Sequence, residues 1–186
     1  ATGRDAARLE PLADLGAEPA VCDVTDEQQV TDLAARLHGR GVRVDGILPL
    51  VGGWRGGGGL AGQTDADYRV LEASLTALRH VSRAFDADLQ ASDAGRLAIV
   101  SSVAVARPLA GGANYATVKA GAEAWTRAVA QGLAKAARDA DRPLRSAAVI
   151  FRVKALAGLE ASLATAFAAL WQQDAAELND SVIELS

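Results

Sequence analysis

Short, nearly continuous apolar runs alternate along the chain with longer segments in which apolar residues recur every three or four positions. Runs of the first kind are typical of buried strands, and segments of the second kind are typical of amphipathic helices. The predicted strands are 18–24, 44–53, 96–103, 142–151 and 181–185. The predicted helices are 4–15, 25–38, 64–89, 113–140 and 159–173.

Helix-boundary signals support this division of the chain. Thr25 is followed three residues later by Gln28, and Thr64 is followed in the same way by Asp67. This spacing is typical of a side chain that caps the first turn of a helix. Gly39 lies where the first of these two helices should end.

The alternation of strands and helices predicts the fold class. Strands separated by helices are typical of a parallel sheet covered by helices on both faces. Right-handed crossovers then produce a doubly wound, Rossmann-like α/β fold. No repeat or linker interrupts the pattern, so we expect one domain over residues 1–186.

Composition narrows the classes of function. The net charge is −4 and aromatic residues make up 4% of the chain, which does not favour a nucleic-acid partner. No apolar run is long enough to cross a membrane, and the single cysteine, Cys22, cannot form an internal disulfide. His38 and His80 have no metal-ligand spacing. We therefore expect a cytoplasmic protein that binds neither metal, membrane nor nucleic acid.

Candidate chemistry is concentrated where predicted strands end. Gly52 and Gly53 follow one strand, Ser102 ends the next, and Tyr115 with Lys119 begins the helix after it. In doubly wound sheets, ligands bind at the carboxyl ends of the strands. We therefore expect these residues to line one cleft.

Tyr115 and Lys119 are four residues apart, so a helix presents both on one face. A free phenol has a pKa near ~10 and is a weak acid or base at neutral pH. A neighbouring ammonium favours the phenolate form, which makes the tyrosine a usable proton donor or acceptor. The hydroxyl of Ser102 is placed to hold a substrate oxygen near that phenol.

This arrangement resembles the short-chain dehydrogenase/reductase family, which has a serine at a strand end and a YxxxK motif on the following helix. Here the segment is IVSSVAVARPLAGGANYATVK, residues 99–119, and the resemblance extends from Thr2 to about Ile150. It implies that Tyr115 is the proton donor in reduction and that Ser102 polarises the carbonyl. It also implies that Lys119 supports the tyrosine and binds the nicotinamide ribose.

The same resemblance implies where a dinucleotide binds. Arg4, after TG at 2–3, matches an arginine that pairs with the 2′-phosphate, so NADP is expected over NAD. Asp23 and Val24 match the segment that contacts the adenine. Gly52 and Gly53 match glycines that let the backbone approach the cofactor.

Three departures from the family pattern stand out. The glycine-rich TGxxxGxG turn, which cradles the pyrophosphate, is absent, and we expect it to precede residue 1 together with the first strand. Ser74 occupies the place of an asparagine that supports a proton-relay water. Phe151 and Arg152 replace the usual Pro-Gly pair.

Each assignment also has a purely structural alternative. Without Ser102 and the order of strands, Tyr115 and Lys119 would be explained better by packing of the ring and by a lysine stem that reaches solvent; with that context the catalytic interpretation is preferred. Arg4 is explained by simple solvation, and Asp23 by capping of the helix at 25–38. Gly56 to Gly59 are interpreted as a flexible loop, because they lack the spacing of a phosphate-binding P-loop.

Two functions remain in competition. The first is an NADP-dependent oxidoreductase that acts on a small carbonyl or alcohol through Ser102, Tyr115 and Lys119; an epimerase or dehydratase using the same site is a variant of it. The second is a non-catalytic relative that binds or assembles without turnover. In either case the resemblance implies a homodimer or homotetramer formed through helices 64–89 and 113–140.

Overall fold

The computed structural model describes all 186 residues, in six strands and seven α-helices. The strands are β1 Thr2–Gly3, β2 Ala20–Val21, β3 Gly46–Ile47, β4 Arg96–Ser102, β5 Ala147–Val153 and β6 Val182–Glu184. The helices are α1 Ala6–Ala13, α2 Glu27–Gly39, α3 Asp65–Ala84, α4 Asp86–Ala91, α5 Ala113–Asp139, α6 Glu160–Ala169 and α7 Ala175–Leu178.

All strand pairs are parallel, which confirms the predicted α/β fold. β3, β4, β5 and β6 form a four-stranded sheet in that order, whereas β1 and β2 form a separate two-stranded sheet. β4 and β5 pair along their whole length, from Arg96 opposite Ala147 to Ser102 opposite Val153. The strands fall into two sheets because no strand of the chain pairs with both β1 and β3.

Side chains of the central strands alternate between two apolar cores, as the pleat of a strand requires. Leu97, Ile99 and Ile150 point into the core formed with α2, α3 and α5. Ala98 and Val149 point into the second core, formed with α6 and α7. Helices therefore cover both faces of the larger sheet.

α2 begins at Glu27, two residues later than predicted, and its cap is Asp26, not Thr25. The Asp26 carboxylate accepts hydrogen bonds from the N–H groups of the first turn, including Gln29 at 3.1 Å. A carboxylate also interacts favourably with the positive end of the helix dipole. Thr64 caps α3 as predicted and accepts from the N–H of Asp67 at 3.1 Å.

Several predicted elements are shorter or broken; the predicted strand 18–24, for example, contracts to β2, Ala20–Val21. The predicted helix 64–89 is interrupted at Phe85, whose backbone leaves the helical conformation between α3 and α4. The predicted strand 44–53 contracts to β3, because Pro49 has no N–H to donate to a ladder. Leu50 and Val51 are consequently exposed beyond the end of β3.

Arg96, at the start of β4, is a buried cation without a carboxylate partner. Its guanidinium donates to the carbonyl oxygens of Leu170, Gln173, Arg145 and Gly95 at 2.9 to 3.0 Å. Burial lowers the pKa of Arg96. The four carbonyl oxygens replace the water that the buried cation loses. Two of them, from Leu170 and Gln173, also join β4 to the segment that follows α6.

A second buried charge joins the opposite, carboxyl end of the sheet to α5. The Glu123 carboxylate accepts from the Ser101 hydroxyl at 2.7 Å and from the Arg152 guanidinium at 2.7 and 2.8 Å. Arg127 adds a bond at 3.2 Å. Ser101 and Arg152 lie opposite each other on β4 and β5, so one carboxylate fixes α5 on two strands.

These contacts determine the ionisation of Glu123. Burial by itself would raise the pKa of this carboxyl, but the hydrogen bonds from Arg152, Ser101 and Arg127 outweigh it and lower the pKa to about 2. The carboxylate therefore stays ionised over the whole range in which the protein is expected to function.

We predict that Glu123→Gln removes an acid-sensitive part of the stability. Because the folded pKa lies near 2 and the ordinary value is 4.5, ionised Glu123 stabilises the fold above pH 4.5, and this contribution is lost as the pH falls towards 2. At pH 7 the variant should lose about 3 kcal/mol, since two guanidinium groups lose their carboxylate. Urea unfolding at a series of pH values measures the difference.

Glu10→Gln is the matched control, because Glu10 is exposed on α1. The difference in unfolding free energy between wild type and Glu123→Gln should narrow below pH 4.5, whereas Glu10→Gln should follow wild type throughout. A difference that is the same at pH 3 and pH 7 would contradict the assigned ion pair.

Candidate active site

Ser102, Tyr115 and Lys119 all lie at the carboxyl end of the four-stranded sheet. Ser102 is the last residue of β4, and Tyr115 lies in the first turn of α5, with Lys119 one turn later. α5 packs against both β4 and β5. The structure therefore places the three residues at one edge of the sheet, as the sequence pattern predicts.

Ser102 has a defined hydrogen-bonding role. The residue is buried, and its Oγ accepts from the N–H of Ala104 at 3.2 Å, which caps the short 3₁₀ turn at Val103–Val105. The hydroxyl hydrogen is not used in this contact. It is therefore free to donate to an oxygen atom brought to the strand end.

Lys119 is anchored to the strand beside the serine. Its Nζ donates to the carbonyl oxygen of Val100 at 2.7 Å and lies 5.8 Å from the centre of the Tyr115 ring. Burial lowers the pKa of Lys119. An ammonium has three N–H donors, so two remain for other acceptors. The ammonium lies by the ring and makes no hydrogen bond to the phenol oxygen.

Tyr115 is half-buried, and its hydroxyl has no hydrogen-bond partner in the chain. The buried side-chain polar atoms without a partner are His80 Nδ1 and Ser181 Oγ, so the phenol oxygen is accessible to solvent. No hydrogen bond joins Tyr115 to Ser102. The two hydroxyl groups are thus both free to bind a third group.

The start of α5, just before Tyr115, is held by Gln63. The Gln63 Oε1 accepts from the N–H of Asn114 at 3.1 Å, while its Nε2 donates to the carbonyl oxygens of Gly57 and Gly111, each at 3.0 Å. The Asn114 side chain donates in turn to the carbonyl oxygen of Thr64 at 3.1 Å. A single glutamine side chain therefore connects two loops to the helix that carries the candidate tyrosine.

Close backbone contact explains the glycines of this loop. The N–H of Gly57 donates to the carbonyl oxygen of Gly111 at 2.7 Å, and a Cβ on Gly56 would come within 2.5 Å of that oxygen. Gly58 and Gly59 have φ values of +65° and +62°, which favour glycine. The segment interpreted as a flexible loop is therefore packed against the 110–112 turn.

The residues expected at the adenosine end of a cofactor lie beyond β1 and β2. The Arg4 side chain is 79% exposed, and its Nη1 is 3.9 Å from Asp23 Oδ2. Hydrogen bonds from the side chain and backbone of Thr25 hold the pKa of Asp23 below its usual value. Asp23 therefore shapes the turn before α2, whereas Asp26 caps the helix. Val24 is half-buried against the core.

Gly52 and Gly53 follow β3 as exposed backbone. A Cβ on Gly52 would lie 3.9 Å from Ser74 Cβ, and a Cβ on Gly53 would meet nothing within 4 Å. The Ser74 hydroxyl donates to the carbonyl oxygen of Leu71 in its own helix, at 2.8 Å. Ser74 is therefore beside the expected cofactor segment, but its donor is engaged and only its lone pairs remain for a water.

These residues fit parts of a dinucleotide. An exposed guanidinium suits a phosphate, open backbone at Gly52 and Gly53 allows close approach, and Lys119 has unused donors. The TGxxxGxG motif that would hold the pyrophosphate does not occur within residues 1–186. The fit therefore extends to the two ends of the cofactor and does not include its centre.

Sequence reasoning missed Glu123 as a residue of this region and treated Arg152 only as a departure from a family pattern. The available signal was spacing, because Glu123 follows Lys119 by one helical turn on the same face. What the sequence did not reveal was the cross-strand register that places Arg152 opposite Ser101.

Elsewhere, the buried carboxylate of Asp88 has structural partners. His38 Nε2 lies 2.9 Å from the buried carboxylate of Asp88, which also accepts from Arg43 and from the N–H of Val44. No group of three or more His, Cys, Asp or Glu side chains is arranged to hold a metal ion. None of the helices has both the length and the apolar character that a membrane crossing requires.

Comparison with known proteins agrees with the observed fold. Residues 1–138 match the family model described as enoyl-(acyl carrier protein) reductase. None of the curated proteins compared matches this sequence. Many solved structures share the fold, and those of high similarity include several short-chain dehydrogenases.

Three of these structures illustrate the likeness. A metagenomic short-chain oxidoreductase in complex with NADP is 23% identical, with a TM-score of 0.79 over 100% of this chain and 84% of its own. A gluconate 5-dehydrogenase from Burkholderia cenocepacia, in complex with NADP and tartrate, is 18% identical, with a TM-score of 0.75 over 100% and 82%. A short-chain dehydrogenase from Escherichia coli complexed with NADPH is 17% identical, with a TM-score of 0.80 over 98% and 83%.

At such low identity these structures show a shared fold only. The family model adds the sequence relationship, because it covers well over half of the chain. Together with the parallel sheet and the serine, tyrosine and lysine at its carboxyl edge, these matches establish that the chain belongs to the short-chain dehydrogenase/reductase family.

Proposed function

We propose that this protein is an NADP(H)-dependent oxidoreductase that interconverts a carbonyl compound and an alcohol. The observation that carries the proposal is the group at the end of β4. Ser102 has a free hydroxyl hydrogen, Tyr115 has an unpartnered phenol, and Lys119 is a half-buried ammonium anchored to the same strand. Acid–base chemistry on an oxygen atom requires such groups.

When bound, the cofactor supplies or accepts the hydride at the carbonyl carbon. In reduction, Ser102 donates a hydrogen bond to the carbonyl oxygen and Tyr115 delivers the proton to that oxygen; in oxidation, Tyr115 removes it. Lys119 keeps a positive charge beside the tyrosine ring, which favours the phenolate left after proton transfer. Its unused N–H donors would hold the ribose of the nicotinamide half.

We propose NADP over NAD because of Arg4. Its exposed guanidinium provides the planar fork that binds phosphate, and the one carboxylate with which it forms an ion pair, Asp23, is at the long distance of 3.9 Å. The NADP and NADPH bound in several structures of the same fold support this choice. Asp23, Val24, Gly52 and Gly53 would complete the adenosine and nicotinamide sides of the site.

A second candidate is a non-catalytic relative that keeps the fold. Two observations favour it: the Ser74 hydroxyl donates to the carbonyl oxygen of Leu71, and Arg152 is engaged by Glu123 where the family has Pro-Gly. Calorimetric titration of the full-length protein with NADPH separates the two. Absence of binding would favour this candidate over the enzyme.

The assembly of the chain remains a proposal under either function. The helices expected to form a homodimer or homotetramer, α3 and α5, pack against each other within the chain. Val70 is the large apolar side chain that α3 leaves exposed. The faces of α3 and α5 that point away from the rest of the chain could pack against a second copy of the protein.

We predict that Tyr115→Phe abolishes carbonyl reduction and leaves the fold intact. Loss of a general acid typically lowers kcat by roughly 10²- to 10⁴-fold. The melting temperature should not change, because the hydroxyl makes no hydrogen bond in the chain. The rate is measured as the fall in NADPH absorbance with a panel of aldehydes and ketones as substrates.

Tyr68→Phe is the matched control, because Tyr68 is the other tyrosine of the chain and lies on α3. It should retain wild-type turnover. Retention of wild-type turnover by Tyr115→Phe would refute the assigned proton donor.

We predict that Arg4→Gln weakens the binding of NADPH and leaves the binding of NADH unchanged. Loss of one charged hydrogen bond to phosphate should raise the KM for NADPH about tenfold. Steady-state kinetics with both nucleotides give the ratio. Arg8→Gln, which alters an exposed arginine on the neighbouring helix α1, is the control. An equal effect on both nucleotides would exclude a 2′-phosphate contact.

A further inference from the structure

Most of the large apolar side chains that are exposed to solvent lie at the carboxyl edge of the sheet. Three loops meet this edge: 48–64 after β3, 103–112 after β4 and 154–159 after β5. They contain six of the ten exposed large apolar residues. The six are Leu50, Val51, Trp54, Leu60, Val103 and Leu109. An exposed apolar patch of this kind marks a binding surface more often than scattered single residues do.

We call the exposed residues of these three loops the rim. The loops 48–64 and 103–112 are joined to each other. The N–H of Gly57 donates to the carbonyl oxygen of Gly111 at 2.7 Å, and the Gln63 side chain donates to the carbonyl oxygens of both glycines. The third loop begins with Lys154, next to Val153, which lies opposite Ser102 in the β4–β5 register. The rim therefore borders the candidate catalytic serine directly.

The charges of the rim all have one sign. The three loops contain three charged residues, Arg55, Arg107 and Lys154, and all are exposed cations. None of them forms an ion pair with a carboxylate, whereas ten of the other sixteen lysines and arginines do. In a chain of net charge −4, this leaves an uncompensated positive edge.

The nearest acids along the chain do not neutralise these cations. Asp67 is engaged with Thr64 at the start of α3, and Glu160 accepts from the N–H of Gly158 at the start of α6. Asp65 also lies in the first turn of α3, where the helix dipole favours an anion. None of these carboxylates forms an ion pair with Arg55, Arg107 or Lys154, so the three rim cations remain unpaired.

We infer that the substrate is amphiphilic: a carbonyl or alcohol compound with an extended apolar part and an anionic group such as a carboxylate or phosphate. This inference rests on the proposed oxidoreductase function and specifies its substrate. Contact between the apolar residues of the rim and the apolar part of the substrate removes both from water, which favours binding. The unpaired cations attract the anionic group and exclude cationic compounds.

The cofactor is a second possible source of anionic chemistry at this edge, since its phosphates are also negative. The two sources differ in which kinetic constant depends on the rim. Substrate recognition makes kcat/KM for the carbonyl compound depend on the cations at saturating NADPH. Cofactor recognition makes the KM for NADPH depend on them, whatever the charge of the substrate.

The test compares an n-alkyl aldehyde with the ω-oxo carboxylate of the same chain length, using the full-length protein at saturating NADPH. We expect the ω-oxo carboxylate to have the higher kcat/KM, by about tenfold at low ionic strength, and the preference to shrink as salt is added. An aldehyde with a terminal ammonium should be the poorest of the three.

Arg55→Gln with Arg107→Gln should remove most of this preference, lowering kcat/KM for the ω-oxo carboxylate about fivefold and leaving the alkyl aldehyde unchanged. The control pair is Arg36→Gln with Arg138→Gln, which removes the same charge from the last turns of α2 and α5, at the opposite end of the sheet. This pair should not change the preference. Lys154→Gln, tested alone, should likewise lower kcat/KM for the ω-oxo carboxylate and leave kcat/KM for the alkyl aldehyde unchanged.

Binding of an unreactive n-alkyl carboxylate, measured by calorimetry, gives a readout independent of turnover. It should bind wild type more tightly than the Arg55→Gln/Arg107→Gln variant. Equal kcat/KM for charged and neutral aldehydes, or a loss confined to the KM for NADPH, would overturn the inference while leaving the oxidoreductase proposal intact. Failure to reduce any carbonyl compound, with no binding of the carboxylate, would overturn both.

Discussion

The ionised carboxylate of Glu123 is the contact on which the geometry of the candidate site depends. It joins α5 to β4 through Ser101 and to β5 through Arg152, directly behind Ser102 and one turn beyond Lys119. Lys119 makes a second attachment of the same helix to β4, at Val100. The positions of the phenol and the serine hydroxyl are therefore set by polar bonds at the strand ends, in addition to the apolar packing that holds the sheet and helices together.

The fold and the location of the site could be predicted from local patterns. Apolar periodicity gave the order of strands and helices, and the strand-end rule brought Ser102, Tyr115 and Lys119 to one edge. The ends of elements were less predictable, because they depend on single competing contacts. Asp26 replaces Thr25 as a cap because a carboxylate is the better acceptor there, and Pro49 limits β3 because it lacks an N–H.

Features that join distant segments had no local signal. The pairing of Glu123 with Arg152 requires the register of β4 against β5, and the four carbonyl contacts of Arg96 require the path of the chain after α6. The local sequence pattern constrains such contacts weakly, because the five N–H donors of a buried arginine can be satisfied by many different acceptors.

The bonds of Gln63 have a consequence for how this family member can diversify. Its one side chain is shared by the loop after β3, the loop after β4 and the first turn of α5. An insertion or deletion in either loop would displace the shared amide and with it the other loop. The two loops are thus expected to change together during evolution, as one inherited unit, and changes in substrate preference should arise by exchanging both at once.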